Sequence, residues 1–261
     1  MTLFVHELKS SKISLIIWSG VIAFLLAVCV FIYPEMAAAM GELEVMFNDM
    51  GSFSDAFGMD ALTEGGFLGF FSLECAEMLG IGGALFAAIL GIGMLSKEER
   101  DGTAELLLTH PVTRTRVVTE KLLALAAQVL IFNAAQVVVT ALSILAIGEE
   151  VEVGKLALIF LSFLLLHLEI AAISFAVSSV VRRGGVGISI GIALLFYFVS
   201  LASNISESLE FMKYLTPFSY TDGSYIMDHV SLDWKYVAVG AAISAASIVA
   251  AYKLYTKKDI S

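Results

Sequence analysis

Long apolar blocks alternate with short charged stretches along the whole chain. About 20 apolar helical residues cross a hydrocarbon core about 30 Å thick. Six blocks reach or approach this length: Ile13–Tyr33, Met78–Leu95, Leu122–Ile147, Leu156–Val181, Val186–Ala202 and Tyr236–Tyr252. Because backbone groups in lipid must bond within their own segment, each block is predicted to be a helix. The pattern predicts an all-α integral membrane protein with six transmembrane helices in one domain, residues 1–261.

The lysine and arginine residues give the expected orientation of these helices. If the N-terminus lies inside, 12 of the 15 basic residues fall on cytoplasmic segments. The outer loops then hold only Lys155, Lys213 and Lys235. Cytoplasmic loops of membrane proteins carry the excess of lysine and arginine. We therefore expect a multi-pass plasma-membrane protein with both termini in the cytoplasm.

Composition excludes some classes of partner. The chain is 59% hydrophobic and its net charge is -10, but the acidic residues lie mostly in two loops. No basic stripe is present, so nucleic acid is not an expected partner. Cys29 and Cys75 show no obvious pairing or metal spacing, and Cys29 is expected to pack as a small hydrophobic residue.

The first outer loop, Pro34–Glu77, carries nine carboxylates and no lysine or arginine. Its apolar residues Met36, Met40, Leu43, Phe47 and Met50 fall near helical spacing. One or two short amphipathic helices at the outer interface are therefore expected. A ligand or metal site in this loop is an alternative, and a solvated acidic face is favoured.

The N-terminal stretch Met1–Lys12 also has an amphipathic pattern. Its apolar face holds Met1, Phe4, Val5 and Leu8, and its polar face holds His6, Glu7, Lys9 and Lys12. Such a helix is expected to lie in the plane of the inner interface.

The cytoplasmic segment 96–121 between the second and third spans carries local folding signals. Ser96 and Glu99 have capping-box spacing, and Gly102 permits a sharp reversal. Thr103 is a candidate cap for a short helix that Pro111 ends, because proline has no amide hydrogen to continue it. A further helix is expected to start at Thr113 and to run through Lys121 into the membrane.

The short helix in this segment bears Leu106, Leu107 and Leu108. Three leucines outside the bilayer need burial, in the lipid interface, in this protein or in the groove of a partner. The residues alone leave these options open.

This segment resembles the type-2 family of ABC transporter permeases. That family has an acidic residue, Gly-Thr, leucines, a proline, an arginine and a lysine between its second and third spans. The matching positions are Glu99, Gly102, Thr103, Leu106, Leu107, Leu108, Pro111, Arg114 and Lys121. Further matches are the aromatic-proline patch Tyr214–Tyr220 and the ending Lys257–Asp259.

The resemblance implies that the leucine-bearing segment is a coupling helix, which docks on a separate ABC ATPase subunit, and that Met1–Lys12 is a connecting helix. Two permease copies, a homodimer surrounded by membrane lipid, would join two ATPase subunits in an exporter working by alternating access. ATP and magnesium would belong to the ATPase partner. This chain lacks a Walker-type Gly-x-x-x-x-Gly-Lys-Ser/Thr motif, so it is expected to bind no cofactor and to be non-catalytic.

Polar residues inside the spans are candidates for a substrate path. In the third span Asn133, Gln136, Thr140 and Ser143 form one polar stripe. In the fourth span His167 and Glu169 are two residues apart, so they do not share a helix face. Polar contacts between membrane helices stabilise a protein by only about 0.6 kcal/mol on average. Packing between helices is therefore a sufficient explanation for these polar residues.

Two other functions stay open at this level. An intramembrane enzyme such as a protease could use Glu98, Glu99, His110, His167 and Glu169, but the sequence has no His-Glu-x-x-His motif and no nucleophile motif. A passive channel or membrane scaffold is the other alternative. The spans lack a repeated filter motif or a ring-forming charged residue, which argues against a channel.

Overall fold

The computed structural model of the chain describes residues 2–48, 66–100, 102, 113–181, 185–205 and 207–258. No strand is present in these ranges. The α-helices are α1 Thr2–Ser10, α2 Lys12–Asn48, α3 Gly66–Phe70, α4 Ala76–Arg100, α5 Arg114–Ile147, α6 Val153–Ser178, α7 Val186–Ile205, α8 Gly223–His229 and α9 Trp234–Lys257. A π-helical turn, Phe71–Cys75, joins α3 to α4, and 3-10 helices cover Glu207–Tyr214 and Pro217–Thr221.

Six helical stretches in the described ranges are long and apolar enough to cross a membrane, which confirms the predicted number. They are Lys12–Ala37, Gly66–Glu99, Arg114–Ile147, Val153–Ser178, Val186–Ile205 and Trp234–Lys257. The second and fourth stretches are the most buried, and the fifth and sixth are the most exposed. The fourth span, α6, is the centre of the bundle, because it packs against α4, α5 and α9.

Two apolar clusters fill the bundle, one towards each end. One cluster joins the middle of α2 to α3 and the π-turn, and its large members include Tyr33, Phe71 and Phe160. The other joins the second half of α4 to the first half of α5, with Phe175 and Tyr255 among its members. Helix α1, the last turn of α4, the first turns of α5 and the last turn of α9 meet at one end of the bundle, which we call the terminal end. The second cluster lies towards this terminal end.

The structure differs from the sequence prediction in the segment predicted as the first outer loop. Helix α2 does not end at Tyr33 but continues through Pro34 to Asn48, and the second span begins at Gly66 rather than Met78. A proline inside a helix removes one amide donor, which leaves only the carbonyl of Val30 without its usual partner. The apolar spacing after Pro34 is therefore helical as predicted, but as an extension of the first span rather than a separate helix.

The capping-box prediction at Ser96 is wrong. Helix α4 continues through this residue to Arg100, and Ser96 is buried. Its hydroxyl donates to the carbonyl of Ile92 at 2.6 Å, which is the bond that a serine inside a helix commonly makes. The spacing to Glu99 reflects one face of α4 and not a helix start.

Candidate functional site at the terminal end

The two ends of the connection between the second and third spans are defined by local geometry. Gly102 has φ of +68°, a left-handed conformation that favours glycine, and its N–H donates to the carbonyl of Glu99 at 3.4 Å. Thr113 is extended, and its hydroxyl accepts a hydrogen bond from the N–H of Arg116 at 3.3 Å. Gly102 has the left-handed backbone that a reversal at this residue requires, and the predicted helix start at Thr113 is confirmed. Thr103, Leu106, Leu107, Leu108 and Pro111 lie outside the described residues.

Buried charges hold these two ends together. Glu7, Lys97, Glu98 and Lys121 form a group that we call the root cluster. The ammonium of Lys121 is fully buried, donates to Glu98 and to the carbonyl of Met94, and lies 3.2 Å from Glu7 Oε1. Lys97 also donates to Glu7, whose side chain is 1% exposed. The root cluster therefore joins α1, the end of α4 and the start of α5 inside the protein.

The C-terminal end of α9 is tied to the same connection. The Arg114 guanidinium donates to the carbonyls of Tyr255 at 3.5 Å, of Thr256 at 3.4 Å and of Lys258. A cation at these carbonyls is favourable, because the last turn of a helix carries partial negative charge. The Lys258 ammonium in turn lies 2.7 Å from Glu99 Oε1.

Helix α1 is fixed at its own start by a carboxylate from α5. Glu120 Oε2 accepts hydrogen bonds from the backbone N–H groups of Leu3 at 2.9 Å and Phe4 at 3.2 Å. Negative charge at a helix N-terminus is stabilising. The predicted polar and apolar faces of α1 are wrong in one respect, since Glu7 is buried and Val5 is 44% exposed. The ion pairs of Glu7 with Lys97 and Lys121 compensate for the desolvation cost of burying the Glu7 carboxylate.

The polar stripe of the third span faces the protein interior. Asn133, Gln136, Thr140 and Ser143 are all at most 5% exposed. Gln136 donates to the carbonyl of Ser19 on α2 at 3.3 Å, which links the third span to the first. Its own Oε1 and the Thr140 hydroxyl are buried without a hydrogen-bond partner among the described residues.

His167 forms the contact between the second, third and fourth spans. Its Nδ1 lies 3.0 Å from Asn133 Oδ1, and its Nε2 lies 3.2 Å from the carbonyl of Leu79. Its ring occupies the space beside Gly83, where a Cβ would overlap it. A residue without a side chain on α4 therefore makes room for the imidazole.

Glu169 contacts a different set of helices, as the two-residue spacing from His167 predicted. Its Oε2 accepts a hydrogen bond from the Tyr220 hydroxyl at 2.9 Å, and Gly240 on α9 leaves the space for this carboxyl group. Burial raises the pKa of the Tyr220 phenol well above its ordinary value, and the neighbouring carboxyl raises it further. The phenol therefore keeps its proton and remains the donor.

Among the described residues, the groups that an intramembrane enzyme could use are not brought together, and His110 lies outside these residues. His167 and Glu169 have separate partners, and Glu98 pairs with Lys121 at the terminal end. In the described ranges no three His, Cys, Asp or Glu side chains are grouped in a way that could hold a metal ion.

Sequence reasoning missed Glu7, Glu120 and Lys258 as members of this site. Each lies far along the chain from its partner, so no local spacing connects them. The only available signal was that opposite charges cluster on segments predicted to share one side of the membrane.

A comparison with protein families gives one match that covers nearly the whole chain. A family model described as ABC-2 family transporter protein matches residues 1–260. A comparison with curated proteins finds no match.

Proposed function

The chain belongs to the ABC-2 family of transporter proteins, and we propose that it is the permease subunit of an ATP-driven exporter whose ATPase is a separate chain. Membership makes the chain a membrane permease component of an ABC transporter. The proposal adds the direction of transport, the alternating-access mechanism and the coupling through segment 101–113. ATP and magnesium belong to the ATPase in this proposal.

The root cluster is the observation that carries the proposal. A segment that receives force from a partner must be attached firmly to the helices that move. Lys121 pairs with Glu98 across the connection and with Glu7 on α1. Glu99 pairs with Lys258 at the end of α9. A displacement of segment 101–113 therefore acts on α1, α4, α5 and α9 together.

Inside the membrane, polar contacts would transmit this displacement. His167 connects α4, α5 and α6, so these helices are expected to move as one block. Close packing makes such blocks switch between discrete arrangements rather than bend continuously. In the proposed mechanism the spans alternate between inward-open and outward-open arrangements as the ATPase subunits close and separate.

The unpartnered polar atoms of the third span support an interior substrate path. Gln136 Oε1 and Thr140 Oγ1 have no hydrogen-bond partner in the described ranges, so both are available to a ligand or water. Asn133, His167 and Glu169 are already bonded within the protein. We propose that Gln136 and Thr140 contact substrate. Asn133, His167 and Glu169 would hold together the helices that form the path.

The proposed assembly contains two permease copies in the plasma membrane. Helix α7 presents Gly187 and Gly191 one turn apart, and nothing lies within 4 Å of a Cβ at either position. Small residues at this spacing permit close approach of a second helix in lipid. The terminal end would face the cytoplasm and its ATPase, in keeping with the distribution of lysine and arginine.

The test is copurification of the chain with the products of its neighbouring genes, to look for an associated ABC ATPase. Leu107→Asp is expected to abolish association and coupled ATP hydrolysis, because a carboxylate cannot be buried in an apolar groove without a large desolvation cost. The matched control is Val153→Asp, at a 75% exposed site at the start of α6. Association that survives Leu107→Asp, or no associating ATPase at all, contradicts the proposal.

A further inference from the structure

The two cysteines of the chain meet inside the bundle. Cys29 lies on α2 one helical turn before Tyr33, and Cys75 is the last residue of the π-turn that precedes α4. Their sulfur atoms are 2.7 Å apart, although 46 positions separate them in the sequence. Cys29 is 6% exposed and Cys75 is fully buried. No spacing along the chain indicates this pairing.

The separation is too short for ordinary packing of two small apolar side chains. Unbonded carbon atoms have their best contact at about 3.5–4.0 Å, and sulfur is larger than carbon. A disulfide bond is about 2.05 Å long. The distance of 2.7 Å between the two Sγ atoms lies closer to the bonded value than to the packed one. The expectation that Cys29 merely fills space does not account for this contact.

The backbone at Cys75 has an irregular feature that serves the contact. The second span is α-helical on both sides of Phe71–Cys75, but these five residues form a π-helical turn. A π-turn inserts extra chain into a helix and rotates the residues around it, and such turns are frequent at functional sites. Here the last residue of the turn is directed at Cys29.

The surroundings of the pair are apolar and aromatic. Tyr33 makes an edge contact with Phe67, with ring centroids 5.0 Å apart, and Phe71 lies 5.7 Å from Phe160. These rings belong to the same buried cluster as the two cysteines. A bond formed in this cluster is shielded from water-soluble reductants.

We propose that Cys29 and Cys75 are a modification site that forms an intramolecular disulfide. The oxidant is a disulfide of another thiol compound or protein. One thiolate attacks it, which releases one thiol and gives a mixed disulfide, and the second thiolate then attacks the cysteine sulfur of that mixed disulfide and releases the other thiol. Both protons and both electrons of the cysteine pair pass to the oxidant, which leaves as two thiols. The exchange takes place as the spans insert, before the aromatic shell closes.

The position of the pair fits this chemistry. Cys29 lies about 25 Å along α2 from Lys12, at 1.5 Å per residue. The cysteine pair is therefore near the end of the bundle that lies opposite to the terminal end. The lysine and arginine distribution assigns this opposite end to the outside. Disulfides form and persist in oxidising compartments. The bond would fix α2 to the second span just before the helix continues beyond Pro34.

The experiment counts free thiols in the full chain taken directly from cells. Membranes are quenched in acid, denatured and treated with a maleimide-polyethylene glycol reagent, with and without prior reduction. The expected result is no modified thiol without reductant and two modified thiols after reduction. Cys29→Ser and Cys75→Ser each leave one thiol, and both variants are expected to react without reductant.

Mass spectrometry of the wild-type chain gives a readout that does not depend on the variants folding. A protease that cuts after glutamate places Cys29 on fragment 8–35 and Cys75 on fragment 75–77. The expected product is these two fragments joined, lacking two hydrogen atoms and separating on reduction. Two reactive thiols in the unreduced wild-type chain, or wild-type cysteines found joined to those of a second copy, would overturn the proposal. Neither outcome depends on whether an ATPase associates.

Discussion

The strongest test of the root cluster is the removal of its central cation. In the variant Lys121→Met, Glu98 loses the ammonium that it contacts, and Glu7 keeps only Lys97. The Lys121 side chain is fully buried, the Glu7 side chain is 1% exposed and the Glu98 side chain is 13% exposed. The bulk of the ion pair is therefore shielded from water.

The expected loss of folding stability in Lys121→Met follows from leaving a buried carboxylate without its ammonium partner. Breaking a buried ion pair from one side costs about 3–5 kcal/mol. Glu98 keeps some contact with solvent and Glu7 keeps one cation, so we expect the lower limit, about 3 kcal/mol. At about 2–4 °C per kcal/mol for a chain of this size, the Tm is expected to fall by about 6–12 °C.

The assay is thermal unfolding of the purified chain in lipid nanodiscs, followed by intrinsic fluorescence. The double variant Glu98→Gln/Lys121→Met removes both charges, and it is expected to recover most of the lost stability. Lys155→Met is the matched control, because the 68% exposed carboxylate of its partner Glu152 makes that pair worth less than about 1 kcal/mol. An unchanged Tm in Lys121→Met, or a double variant as unstable as the single one, refutes the reasoning.

Two further predictions concern the interior of the bundle. Gly83→Ala places a Cβ against the His167 ring, so we expect overpacking to cost about 1–3 kcal/mol. Gly93→Ala on the same helix meets open space, and it should not lower the Tm because alanine favours a helix more than glycine does. Equal Tm values for these two variants would contradict the close fit of the imidazole. Tyr220→Phe removes the donor to Glu169, and a buried acceptor left unpaired costs about 1–3 kcal/mol. That loss is measured as a lower Tm, and a Tm equal to that of the wild type would show that the hydrogen bond does not stabilise the protein.

Much of the architecture was predictable because the bilayer imposes a simple rule on the sequence. Every backbone group in lipid must be bonded, so a long apolar block has to be a helix, and the number of blocks gives the number of spans. The ends of these helices were less predictable. Apolar blocks mark what lies in hydrocarbon, but α2 continues past Pro34, and the second span begins at Gly66 because the apolar run 67–73 joins it across the interruption by Glu74 and Glu77.

The sequence by itself determined the six spans, the start of α5 at Thr113 and the left-handed backbone at Gly102, since each depends on a local property of the chain. Only the tertiary structure decided the partners of the polar residues. Glu7 and Lys121, or Cys29 and Cys75, are brought together by helix packing, and their distances along the chain carry no information about this. Burying a charge without an opposite charge nearby is costly, and the packing of the helices determines which opposite charge lies within reach.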